Sequence, residues 1–131
     1  MLIDAITQQW DRYSGGNIVI RKDHSGHAHF YATDNGGADF SDHWSDQNLN
    51  WFSRYDRYAI DRLTALAKFL EQPSTGFVGY ADATKFTADL GLDTLKPPSQ
   101  YLQLLRRNIG FVLARVQANH SQFGETIYLP N

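Results

Sequence analysis

Two adjacent prolines, Pro97-Pro98, constrain this chain more than any other pair of residues in it. Proline lacks an N–H and locks φ, so such a pair is tolerated only in the first turn of a helix. The residues that follow have helical periodicity. Leu102, Leu105 and Ile109 recur at three and four, with Tyr101 and Leu104 widening the stripe. The spacing predicts a helix over Pro98–Ile109, closed by Gly110. Upstream, Phe86 and Leu90 lie four apart with Asp82 in the first turn, which predicts a helix over Ala81–Leu90. Gly91 supplies the left-handed residue that ends such a helix, and Asp93 and Thr94 offer caps for the next. Phe77–Val78 reads as a short strand before this pair. After Gly110, Phe111 and Leu113 alternate with Val112 and Val116, and Asn119–Gly124 has turn chemistry. The alternation predicts a ribbon pairing Phe111–Ala118 with Glu125–Leu129.

That order of strand, helix, turn, helix and two-stranded ribbon resembles a winged helix-turn-helix domain over residues ~58–130. The resemblance implies DNA binding, with the helix Pro98–Ile109 in the major groove. Gln100, Gln103 and Arg107 are spaced three and four apart opposite the apolar stripe, a chemistry suited to base edges. Arg106 and Lys96 are the candidate phosphate contacts. Arg115, His120 and Gln122 are expected to reach an adjacent groove or the backbone from the ribbon. From Thr94 to Gly124 no acidic residue occurs, so this stretch carries a local positive excess.

The rest of the chain sets limits on function. Its 131 residues suffice for one domain with a real core, and the formal net charge of −2 excludes a uniformly basic nucleic-acid binder. Acidic side chains outnumber basic ones in residues 1–57, and the balance reverses from residue 58 onward. With no cysteine, disulfides, thiolate catalysis and Cys-ligated metal sites are excluded, which fits a cytoplasmic protein. Neither a secretory leader nor a membrane span is expected.

The N-terminal part, residues 1–47, adds a helix, a hairpin and an acidic loop to the unit formed by 48–131. Leu2, Ile3, Ile6, Trp10 and Tyr13 predict an amphipathic helix over 2–13, stopped by Ser14-Gly15-Gly16 and offering a face for a homodimer. Asn17–Lys22 and His27–Thr33 predict two strands around a turn at Asp23-His24-Ser25-Gly26. Asp34–Gln47 is loop-like. From about Leu49 a long helix is expected, with Phe52, Tyr55, Ala59, Leu63, Leu66, Ala67 and Leu70 buried, ending at Gln72-Pro73-Ser74. The expected class is α+β.

Two clusters hold other chemistry. His24, His27 and His29, with Asp34, Asp39, Asp42 and His43, are metal-ligand types, but they match no ligand-spacing motif, so no metal or cofactor is assigned. Asp39, Asp42 and Asp46 around Trp44 suit the alternative of an inhibitor, immunity or accessory protein that presents an acidic loop to a basic partner. No Gly-x-Ser-x-Gly, P-loop or Gly-x-Gly-x-x-Gly is present. The expectation is therefore a small non-enzymatic DNA-binding protein.

Overall fold

The structure, a computed structural model, describes residues 2–9, 17–33, 47–50, 54–72, 76–89 and 97–130. The class is α+β. In chain order the elements are α1 (Leu2–Thr7), β1 (Ile18–Lys22), β2 (Ala28–Ala32), α2 (Gln47–Asn50), α3 (Arg57–Glu71), α4 (Ala83–Asp89) and α5 (Pro98–Phe123). A 3-10 turn, Gly124–Ile127, follows α5.

The largest departure from expectation is α5. It runs for 26 residues straight through Gly110, so the ribbon expected over 111–129 is not formed. The physical reason is that Val112 and Val116 continue the period of Tyr101, Leu105 and Ile109, and all five are buried. Phe111, expected on a strand, is 43 % exposed. A glycine inside a helix costs only about 1 kcal/mol, less than burying two valines on a continuous stripe returns. Pro98 opens the helix at a position where its missing N–H costs nothing. Gly124, at φ +60, ends it.

Helices α1, α3 and α4 and the 3-10 turn all pack on α5, while α2 packs on α1. Phe69, Leu70, Ile109 and Val112 are wholly excluded from solvent at the centre of this core. Phe69 stacks with Phe77 and meets Phe86 edge-on, which closes the end formed by α3 and α4. Among the described residues no helix is long and apolar enough to cross a membrane.

Several other boundaries differ from the sequence expectation, each for a reason visible in the hydrogen bonding. Helix α1 stops at Thr7 rather than Tyr13, because Gln8 turns left-handed at φ 56 and the Gln9 N–H bonds back to Asp4 O at 2.9 Å. That is the 6→1 closure of a Schellman motif. Residues 10–13 of the expected helix lie outside the described ones. Helix α3 begins at Arg57 rather than near Leu49. Asp56 is extended and its Oδ1 accepts the Ala59 N–H at 2.8 Å, an N-cap. Tyr55 just before it pairs instead with the C-terminal segment, donating to Ile127 O and accepting from Leu129 N. Finally, Phe77–Val78 is no strand. Phe77 and Tyr80 exchange both backbone bonds at 2.8 Å around Val78 (φ 49) and Gly79 (φ 83), a tight turn of the I′ type. Helix α4 starts at Ala83, capped by Asp82 Oδ1 accepting the Thr84 N–H.

The hairpin β1–β2 forms as expected, antiparallel, with Ile20 opposite Phe30 and Arg21 opposite His29. Asp23 organises its turn: Oδ1 accepts the N–H groups of Ser25 and His27, and Gly26 takes φ 83.

Gly110 gives a direct check on the continuous helix. An added Cβ there meets nothing within 4 Å. The Gly110→Ala chain should unfold at higher urea, gaining about 0.5–1 kcal/mol. A left-handed Gly110 closing a shorter helix would make the same change destabilising.

Candidate nucleic-acid interface and the adjoining cleft

The outer face of α5 presents the residues that spacing singled out. Gln100 and Gln103 are exposed, and Arg107 follows on the same face, half-buried, with its guanidinium 3.3–3.4 Å from Asn108 Oδ1. Asn108 is wholly buried and donates its Nδ2 hydrogen to Ile6 O at 2.8 Å, so α1 is tied to α5 directly beneath Arg107. Arg106 is exposed on the flank. Lys96 lies outside the described residues.

The three residues expected on a ribbon sit instead on the second half of the helix. Arg115 donates to Asn50 Oδ1 at 2.9 Å, which links α5 to α2. Gln122 is exposed in the last turn, about 33 Å from Gln100 at 1.5 Å of rise per residue. His120 is turned away into a cleft between α3 and α5. The eight expected contacts therefore do not form one patch. Gln100, Gln103, Arg106 and Arg107 are brought together, while Arg115, His120 and Gln122 are separated from them.

The cleft holds about 620 Å³, with Ile60, Leu113 and Val116 among its apolar lining and Arg57, Asp61, Gln117, His120, Glu125 and Tyr128 among its polar lining. Glu125, from the 3-10 turn, takes one basic side chain on each carboxylate oxygen. His120 Nε2 lies 3.1 Å from Oε1, and Arg57 is paired with Oε2. The Arg57 guanidinium also lies over the Tyr128 ring, 3.9 Å from its centroid. The hydrogen bond with His120, then the charge of Arg57, hold the Glu125 carboxyl below its ordinary range. This group ties the C-terminal segment to both long helices. Sequence reasoning missed it because Arg57 and Glu125 stand 68 residues apart and no local pattern links them.

On the hairpin, His29 Nε2 and His27 Nδ1 approach Asp23 Oδ2 at 3.1 and 3.5 Å. The bond from His29, aided by the backbone N–H groups, holds the Asp23 carboxyl low. Strand alternation does place His27 and His29 on one side, but they converge on the carboxylate that shapes their own turn. Among the described residues no group of three or more His, Asp or Glu side chains is placed to hold a metal ion. The acidic segment with Asp39, Asp42, Trp44 and Asp46 lies outside the described residues, as do Asp34 and His43.

Of the stripe expected as a dimer face on helix 2–13, Ile6 is buried within the domain and Leu2 half-buried, while Trp10 and Tyr13 lie outside the described residues. Asp4, Ala5 and Ile6 are buried, and α1 packs on α5. Ile3, on the other side, remains 52 % exposed.

Comparison with protein-family models, with curated proteins and with solved structures found no match. Function has to come from the chemistry of these side chains, since a fold alone does not name one.

The Glu125 knot carries a pH dependence. Its folded-state carboxyl titrates below the ordinary 4.5, so its bonds stabilise the fold above that pH and are lost as pH falls through the lowered value. Urea unfolding of wild type and Glu125→Gln should differ near neutral pH, and the gap should close as pH falls through the lowered value of the carboxyl. A gap that stays constant over the whole acid range would assign the effect to packing rather than charge.

Proposed function

We propose that this is a small non-enzymatic DNA-binding protein, a regulator or accessory factor, that meets duplex DNA with the outer face of α5. The observation that carries the reading is the charge pattern of that helix. Over 26 residues it has no acidic side chain, while Arg106 and Arg107 project from its first half, with Gln100 and Gln103 exposed beside them. The contrast with α3 is informative, because α3 interleaves Asp61 and Glu71 with Arg57, Arg62 and Lys68 in the ordinary manner of a solvated face. A helix free of carboxylates in a chain of net charge −2 leaves a phosphate-tolerant surface that its surroundings lack.

In this reading Gln100 and Gln103, in the first turns, read base edges, and Arg106 contacts phosphate. Arg107 serves the same face, at the cost of its long bonds to Asn108. The reading rests on the surface of α5 and not on a wing, since residues 111–123 are helical. Amide side chains suit hydrogen-bond readout of base edges.

Fluorescence polarisation of a labelled random-sequence duplex across a salt series tests the proposal. Micromolar binding that weakens with salt is expected, and Arg106→Ala should lower the log–log salt slope by about one unit. Gln100→Ala with Gln103→Ala should leave random-duplex affinity in place and remove preference for a selected site, by about 1–3 kcal/mol for each base no longer read. Absence of binding at low salt would end the proposal.

A further inference from the structure

The β1–β2 arm carries chemistry that α5 lacks. Residues 20–31 form an unbroken exposed run, and each strand's substantial packing, among the described residues, is with the other strand. Pairing of Ile20 with Phe30 and of Arg21 with His29 sets the two sides of this ribbon. One side holds Ile20, Lys22 and Phe30, and the other holds Val19, Arg21, His29 and Tyr31. Each side therefore turns an aromatic ring to solvent, Phe30 being 68 % exposed and Tyr31 50 %.

Singly exposed apolar side chains are normal, but these two rings stand beside cations that no carboxylate takes up. The Arg21 guanidinium lies over the Tyr31 ring, 5.9 Å from its centroid. Among the described residues neither Arg21 nor Lys22 pairs with an acidic group. The arm's one carboxylate, Asp23, is already occupied. Its Oδ1 accepts the turn N–H groups, and its Oδ2 meets His29 and His27 at 3.1 and 3.5 Å. Two uncompensated cations between two open rings complement a polyanion that carries flat, apolar groups.

Nucleic acid has that composition, and the rings decide which form of it fits. Between Ile18 and Ala32 there is no amide side chain, so the arm lacks the bidentate amides that read base-pair edges in a groove. A ring stacks only on a base whose face is free, and in a duplex the neighbouring pairs cover those faces. A lipid surface fits less well. The far end of the arm, Asp23-His24-Ser25-Gly26-His27, is polar, and rings entering a bilayer would have to carry it in with them.

We infer that the β1–β2 arm is a second nucleic-acid surface, one that binds single strands. Bases stack on Phe30 and Tyr31, and phosphates are held by Arg21 and Lys22. A strand laid along the ribbon also supplies the further layer that two β-strands alone need for stability in water. This surface differs in chemistry from the duplex-facing side of α5, and neither needs the other.

Fluorescence polarisation of a labelled oligothymidylate against the full chain tests it, and should show binding at low salt that weakens as salt rises. Phe30→Ala and Tyr31→Ala should each weaken that binding by about 5- to 100-fold, the range for one lost stack. Tyr31→Phe keeps the ring and should retain affinity. Lys22→Ala should lower the log–log salt slope by about 0.7, the value for one phosphate contact on a single strand. Arg106→Ala, on α5, should change none of this. Among the described residues the buried core includes none from the arm, so the arm variants should keep the wild-type circular dichroism. A second measurement needs no variant. Photocross-linking of an oligothymidylate bearing iododeoxyuridine should map to Phe30 or Tyr31. Absence of single-strand binding at low salt overturns the proposal, as do equal affinities of wild type and both alanine chains, or cross-links confined to α5. Binding to phosphatidylserine vesicles that is lost in Phe30→Ala, with no oligonucleotide bound, would assign the rings to a membrane and overturn it too.

Discussion

The helical core of this fold leans on one apolar stripe. Tyr101, Leu105, Ile109, Val112 and Val116 present a continuous line along α5, and three other helices and the 3-10 turn each bury their own faces against part of it. Because the stripe must stay in phase to serve every neighbour, the helix cannot break at Gly110 without detaching whatever packs beyond it. A local preference of about 1 kcal/mol is set against the burial of several side chains, each worth roughly 1.5–3 kcal/mol, and loses.

The same arrangement separates what the molecule shows to solvent. Burial takes the continuous apolar stripe of α5 and leaves its amide and guanidinium side chains outward, together with Phe111 and Phe123, while most other exposed large apolar groups lie on the hairpin and around α1 and α3. The polar tie inside the core, Asn108 to Ile6 O, holds α1 at a fixed place on α5. It thereby fixes where α1 lies relative to the amide-bearing face. A buried bond of this kind adds little net stability, about 1 kcal/mol, but removing one partner leaves the other unsatisfied. Its main effect is on register.

Much of the fold was legible wherever a signal is local. The hairpin was readable from alternation and from Asp23-His24-Ser25-Gly26, and α4 from the Phe86 spacing, although Asp82 acts as its cap rather than lying inside it. The start of α5 was readable from Pro97-Pro98. The C-terminal half of α5 was not, because Val112 and Val116 satisfy both an alternating and a helical template, and only the packing partners decide between them. The turn at Val78 was hidden because a β-branched residue at φ 49 contradicts its own preference. Of the candidate contacts, the set Gln100, Gln103, Arg106 and Arg107 followed from helical spacing alone. His120 and Arg115 were misplaced together with the ribbon on which they were expected.

The C-terminal segment has a consequence for how α3 acquires its length. Tyr55 is held extended because its N–H and C=O are taken by Ile127 and Leu129, residues near the far end of the chain. Apolar spacing runs N-terminally through Tyr55 with no break of its own, so before that docking the chain upstream of Arg57 is opposed locally only by the Asp56 cap, about 1 kcal/mol. Closing a loop of this span is slow relative to helix growth. The first turn of α3 is accordingly set by tertiary closure: the segment after Gly124 works as a stop gauge, trimming a helix that the local sequence would let run on.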